Sequence, residues 1–277
     1  MTQSATDVQV SSAEARPPVI ELQGVCKAFP TGRNGTPQLA VDNVSLTIPD
    51  AAEGEFVVLL GPSGCGKSTI LQMVSGMLAP DKGEIRALGK TVHGPDAQSA
   101  TVPQAYTCFP WLTALGNVEF GLSVLGKPAG ERRKIAQEYL KKVGLGDRED
   151  AYPRELSGGM QQRVAIARTL AMRLSIVLMD EPFGALDAQT RAEMQMMLTS
   201  LWTEEKNLIV FVTHDISEAV LLADRILVFS ARPAKIIQDV RVPFPRPRAQ
   251  TLVYDSQFVQ LSQALLNLLK SEGHDAR

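Results

Sequence analysis

The chain has 277 residues, 21% of them charged and 44% apolar, with a formal net charge of −2. That ordinary balance excludes a nucleic-acid binder working by bulk positive charge, and no apolar run approaches the roughly 18 residues of a membrane-spanning helix. Cys26, Cys65 and Cys108 follow neither a disulfide framework nor a zinc-ligand spacing, as expected in a reducing compartment. Met1–Ala15 carries no Lys or Arg and no apolar core, so it does not read as a signal peptide; residues 1–18, ending at Pro17-Pro18, are expected to be a disordered tail.

Strands are predicted over Val19–Ala28, Ala40–Ile48 and Glu55–Leu60, with a Gly/Pro/Asn loop over Pro30–Gln38. A helix follows from Ile70, and a short strand over Gly83–Leu88 follows the turn Pro80-Asp81-Lys82-Gly83. From 105 to about 156 the pattern changes. Glycines and prolines precede a charged helix whose Ile135, Tyr139, Leu140 and Val143 share one face, as in a helical insertion. Arg132-Arg133-Lys134 and Lys141-Lys142 read as its solvated face. Strand runs resume at Ser175–Met179, Leu208–Val212 and Arg225–Phe229, with helices between them. Met194, Met197, Leu198, Leu201 and Trp202 make a core-packing stripe, and a last helix over about Asp255–Lys270 places Phe258, Leu261, Leu265 and Leu268 on one face. Strands alternating with helices predict an α/β fold with a mostly parallel sheet covered on both faces.

Residues 61–69, Gly-Pro-Ser-Gly-Cys-Gly-Lys-Ser-Thr, match G-x-x-x-x-G-K-[ST] between a predicted strand and a predicted helix. Gly61, Gly64 and Gly66 let the backbone wrap so that several N–H groups face one anion, and the helix N-terminus adds its partial positive charge. Lys67 is expected to reach the β- and γ-phosphates of a nucleotide, and the Ser68 hydroxyl to ligate Mg²⁺. The strand ending in Asp180-Glu181 supplies one carboxylate to hold Mg²⁺ through water and one to polarise an attacking water. Leu156-Ser-Gly-Gly-Met-Gln-Gln-Arg163 opens another helix and reads either as a second anion site, serving a nucleotide held by another subunit, or as an ordinary capped turn. Cys65 reads either as a thiolate favoured by the loop N–H groups and Lys67 or as a small residue at a free position.

Gly61–Thr69, Leu156–Arg163, Asp180-Glu181-Pro182, Gly184-Ala185-Leu186-Asp187 and Thr213-His214-Asp215, in that order, resemble the nucleotide-binding subunit of an ATP-binding-cassette (ABC) transporter. The resemblance covers about Val19–Pro247. It implies a P-loop NTPase core with an antiparallel β subdomain and an inserted α-helical subdomain. The ATPase domain would span 19–248, with its core at 19–104 and 165–248, the helical insertion at 105–164 and a helical extension at 249–277. By matching position, Phe29 would stack on adenine and Gly61, Pro62, Ser63, Gly64, Cys65, Gly66, Lys67, Ser68 and Thr69 would wrap the phosphates. Gln104 would sense Mg²⁺ (with Ser68 and Asp180), water and a membrane partner. Ser157, Gly158 and Gly159 would meet the γ-phosphate held by the opposite subunit, Asp187 would couple the two sites, and Glu181 and His214 would serve the attacking water.

Phe109-Pro-Trp-Leu-Thr113, Gly116-Asn-Val118, the run Asp180–Ala188, Thr190-Arg191, Thr213–Ala219 and Pro247-Arg248 are similar to ATPases of nitrate, sulfonate, taurine and bicarbonate importers. This implies a homodimer using ATP and Mg²⁺, two membrane permease subunits, and a periplasmic or lipoprotein solute-binding protein. The complex would lie on the cytoplasmic face of a bacterial inner membrane and bind no nucleic acid. The segment Gln98–Ala105 departs from the subfamily, which carries Asp/Glu-Arg-Gly before the glutamine and an aromatic next to it. The alternatives are an ATPase for export or lipid movement and a soluble ATPase of repair or translation. Translation types carry two cassettes, and the stretch from Lys67 to Leu156 is too short for the coiled-coil insertion of repair types.

Overall fold

A computed structural model describes residues 17–30, 35–104 and 108–274. The predicted tail therefore lies outside the described residues as far as residue 16. Two sheets form. The first is antiparallel, in the order β2-β1-β4-β5, from β1 (Ile20–Phe29), β2 (Gln38–Ile48), β4 (Lys82–Ala87) and β5 (Lys90–Thr91). The second has the order β10-β9-β3-β8-β7-β6, from β3 (Glu55–Leu60), β6 (Ser99–Val102), β7 (Ile176–Asp180), β8 (Leu208–Thr213), β9 (Arg225–Phe229) and β10 (Ile236–Arg241). It is parallel except for β10, which runs antiparallel to β9.

Strand β3 shows why its run Phe56–Leu60 is apolar without a break. Every residue from Glu55 to Leu60 is buried. Phe56, Val58 and Leu60 face one core, while Val57 and Leu59 face a second core shared with α1 (Lys67–Val74) and the antiparallel sheet. A parallel strand covered on both faces needs that composition. The first core also takes α2 (Ala114–Val124), α3 (Ala129–Lys142), α4 (Gly158–Leu170), α5 (Ala188–Glu205) and α6 (Ile216–Leu222). The predicted faces hold: Tyr139, Leu140 and Val143 of the α3 region are buried, as are Met194, Leu198, Leu201 and Trp202 of α5. α7 (Ser256–His274) buries Phe258 and Leu265.

Arg248 gives the Pro247-Arg248 segment a physical reason. Its guanidinium donates to the carbonyls of Leu221 and Ala223 at 3.0 and 2.7 Å and of Phe244 at 2.9 Å. It thereby satisfies the end of α6 and ties the C-terminal segment to it. Burial, with Arg246 alongside, pulls its pKa down to about 10, against the pull of Asp224. Among the described residues no helix is long and apolar enough to cross a membrane.

Candidate functional site

The strands β3, β6, β7 and β8 end level with one another: Leu60 pairs with Thr213, Asp180 with Val212, and Val102 with Met179. The residues that follow them therefore gather along one edge of the parallel sheet, where open α/β folds bind ligands. Between Leu60 and α1 lies the loop 61–66. Gly64 and Gly66 have φ of +74° and +126°, and a Cβ on Gly66 would stand 2.6 Å from the Ala40 carbonyl oxygen. Only glycine permits this wrap. Lys67, almost fully buried, donates through Nζ to the carbonyls of Gly61 and Pro62, each at 2.8 Å. Cys65 Sγ lies 3.8 Å from the same ammonium. The thiol is buried with Ile70 and Leu71 in the second core, so in this conformation solvent reagents do not reach it.

The Ser68 hydroxyl donates to Asp180 Oδ1 at 2.7 Å. Burial holds the Asp180 carboxyl above its ordinary range, with Glu181 adding to the rise, against the Ser68 hydrogen bond and the charge of Lys67. A hydroxyl and a carboxylate this close suit Mg²⁺, a hard cation that fills its other positions with water and phosphate oxygens. Among the described residues no three His, Cys, Asp or Glu side chains converge as a protein-only metal cage. Gln104, expected to join this pair, stands exposed two residues beyond β6 and makes no hydrogen bond to Ser68 or Asp180.

Glu181 has a φ of +42°, a strained value for a residue with a side chain. Its N–H donates to Val212 O, and its carbonyl accepts from Gly184 N–H, each at 3.1 Å. The bend places Glu181 Oε2 3.1 Å from His214 Nδ1, one residue beyond β8. Phe29, Gly64, Gly66, Lys67, Ser68, Thr69 and Glu181 line one cleft of about 160 Å³, together with Ala40 and Arg232. Sequence reasoning misses those last two. They come from β2 and from the loop after β9, and no motif marks them. Two larger hollows, of about 470 and 500 Å³, lie at the amino ends of the strands and between α5, α6 and the C-terminal segment, and neither shares a lining residue with this cleft.

Ser157, Gly158 and Gly159 do not line the cleft. Ser157 caps α4, its Oγ accepting from Met160 N–H at 3.3 Å, and a Cβ on Gly159 would meet Thr190 Cγ2 at 2.7 Å. Thr190 is also the partner of Asp187, which caps α5 through hydrogen bonds of 3.0 and 2.7 Å from the Thr190 amide and hydroxyl. Those bonds, the amide first, hold the Asp187 carboxyl below its usual range. The glycine pair and Asp187 thus form one neighbourhood, apart from the cleft of their own chain.

The family model for the ABC transporter matches residues 41–184. The chain belongs to the ABC transporter family. It is 46% identical over 266 residues to an uncharacterized ABC transporter ATP-binding protein of Methanocaldococcus jannaschii, covering 96% of this chain and 97% of that one. It is 45% identical over 237 residues to the taurine import ATP-binding protein of Chromobacterium violaceum, with 84% and 90% covered. It is 39% identical over 279 residues to the bicarbonate transport ATP-binding protein of Synechocystis sp., with 99% and 97% covered. Among solved structures, a dimeric ATP-binding cassette bound to ADP and Pi superposes with a TM-score of 0.70 at 34% identity, covering 82% of this ABC cassette and all of that one. The expected P-loop NTPase fold, with an antiparallel sheet beside a mainly parallel one, is confirmed, and the protein is an ABC-type ATPase of the kind that serves transport.

Proposed function

We propose that this cassette hydrolyses ATP to drive a bacterial importer of small anions or sulfonate-like solutes, of the nitrate, sulfonate, taurine or bicarbonate type. The observation that carries the reading is the convergence of the Ser68–Asp180 and Glu181–His214 pairs beside the loop 61–69. In it, the loop N–H groups and Lys67 hold the phosphates, and Phe29 takes the adenine. Ser68 and Asp180 would hold Mg²⁺, which supplies charge neutralisation on the phosphate oxygens. Glu181 accepts the proton of the attacking water, and His214 orients it with the γ-phosphate. Two copies close over two ATP molecules, each lending Ser157–Gly159 to its partner's site, and Asp187 links the two.

A membrane partner is supported by the helical region. Trp111, Phe120 and Val124 are exposed, with the Phe109 ring tilted against those of Trp111 and Phe120 at 5.5 and 4.6 Å between ring centroids. Such a patch, on α2 and the turn before it, suits a protein interface, and it follows Gln104 in sequence, which is expected to sense that partner. The proposed complex lies on the cytoplasmic face of the inner membrane, with two permease subunits and a solute-binding protein.

Glu181→Gln tests the reading. It should keep ATP affinity and lose about 10²- to 10⁴-fold in hydrolysis, the span expected for removal of a general base; hydrolysis at the wild-type rate would refute the role. The same variant, loaded with ATP, should retain a multi-pass membrane protein from detergent-solubilised membranes. Its recovery alone would count against the importer. Stimulation of the assembled complex by a binding protein loaded with taurine or bicarbonate reads out the solute class, and indifference to both would exclude it.

A further inference from the structure

One charged side chain of the cleft has no part in the scheme above. Arg232 sits on the loop between β9 and β10. That loop is stitched to β2 on both sides of Ala234: Ala234 N–H donates to Ala40 O at 2.8 Å, and Asp42 N–H donates to Ala234 O at 3.1 Å. It also packs on the phosphate-binding loop, since a Cβ on Gly66 would meet Ala234 Cβ at 3.0 Å. Arg232 Nε donates to the Leu39 carbonyl at 3.3 Å, from 193 positions away in the chain.

The place of Leu39 fixes where the guanidinium stands. The residue before it, Gln38, pairs with Phe29 across the antiparallel sheet. The residue after it, Ala40, presents the carbonyl that abuts Gly66. Arg232 is therefore anchored between the ring at one end of the cleft and the anion cradle at the other. A nucleotide with its base on Phe29 and its terminal phosphates in the loop must carry its ribose and α-phosphate across that interval. With Nε engaged on Leu39, the two terminal nitrogens present four further N–H donors in a planar fork that matches phosphate oxygens.

We propose that Arg232 binds the α-phosphate of the nucleotide, an assignment that rests on reading this cleft as the ATP site. It is a binding residue rather than a catalytic one. The α-phosphate is common to ATP, ADP and AMP, so Arg232 raises affinity for all three and leaves the turnover of bound ATP unchanged.

The test is calorimetric titration of the folded subunit with ADP and with AMP, using wild type, Arg232→Ala, Arg232→Gln and Arg232→Lys, with Lys67→Ala as control. Arg232→Ala should weaken both nucleotides by about 10- to 100-fold, the range for losing hydrogen bonds to a charged group. Arg232→Lys should restore much of that loss and Arg232→Gln little. In the ATPase assay, the Arg232→Ala defect should lie in KM and not in kcat. Melting curves verify folding, and should the alanine variant fail to fold, the Gln and Lys variants decide. ADP binding within twofold of wild type for Arg232→Gln, or a loss for ADP that disappears with AMP, overturns the assignment. If Lys67→Ala loses ADP while the Arg232 variants keep it, the nucleotide reading stands and only the α-phosphate role falls. If wild type binds neither nucleotide, the reading beneath it falls as well.

Discussion

At Gly66 the backbone decides whether the anion cradle exists at all. A methyl group there would press to 2.6 Å on the Ala40 carbonyl oxygen while the residue holds a φ of +126°. The strain alone is about 1–3 kcal/mol, and the carbonyl cannot withdraw without breaking the hydrogen bond it accepts from Ala234 N–H. Gly66→Ala should therefore reshape the loop and weaken ADP binding by at least about tenfold, while the two cores, which do not include it, keep the protein folded. Titration with ADP beside a melting curve checks both halves. Unchanged affinity would mean that the wrap of 61–66 is not what holds the phosphates. This loop was legible in the sequence because each position has its own steric or chemical demand. Arg232 was not legible, because its position is set by a carbonyl 193 residues away. The Glu181–His214 contact could be read only as two separate motifs, since the bend at Glu181 that joins them is a property of the folded backbone.

Among the elements, the helical insertion meets the core at a tyrosine. Tyr139 of α3 donates its hydroxyl to Glu205 at the end of α5 and accepts from Arg173 Nε at 3.3 Å. Burial first, then the Glu205 hydrogen bond, pushes the phenol up to about 12 from an ordinary 10. The folded protein thus holds that proton more tightly than the unfolded chain does. The associated stability is complete below pH 10 and is lost as pH rises from 10 to 12. Tyr139→Phe should cost about 1 kcal/mol at pH 8, for the hydrogen bond removed from Glu205, and the gap to wild type should close as pH climbs through that window. Melting temperatures at pH 8 and pH 11.5 measure it, and a constant gap would show that the hydroxyl contributes nothing linked to its proton. The strands read correctly from sequence include the apolar ones with covered faces, such as β3 and β8, as well as β1, β2 and the polar β4, which the turn at 80–83 announces. Those missed are at edges. β6 is Ser-Ala-Thr-Val, paired on one side only with β7, β5 has two residues, and β10 closes the sheet antiparallel with the polar Gln238, Asp239 and Arg241. An edge strand is specified by the neighbour it pairs with more than by its own hydrophobicity.

For the whole molecule, the placement of Ser157–Gly159 beside Thr190 and Asp187, away from the cleft of their own chain, sets the decisive expectation. A helix start with a capping serine and two glycines can receive an anion, and this one lies outside the cleft proposed to hold its own chain's nucleotide. If the partner's nucleotide is what it meets, then Glu181→Gln, expected to bind ATP without consuming it, should accumulate as a dimer when ATP and Mg²⁺ are added. Adding Ser157→Arg to that variant places a large cation at an exposed helix cap, where it would obstruct the partner's γ-phosphate. The double variant should remain monomeric by size-exclusion with light scattering, yet bind ATP as a monomer with unchanged affinity, because no residue of the 157–159 turn touches the cleft. The combination of lost dimer and retained affinity is specific to a site completed across two chains. Loss of monomer affinity would place the glycine pair in its own chain's site. An ATP-dependent dimer that survives Ser157→Arg would mean that the two copies meet through some other surface.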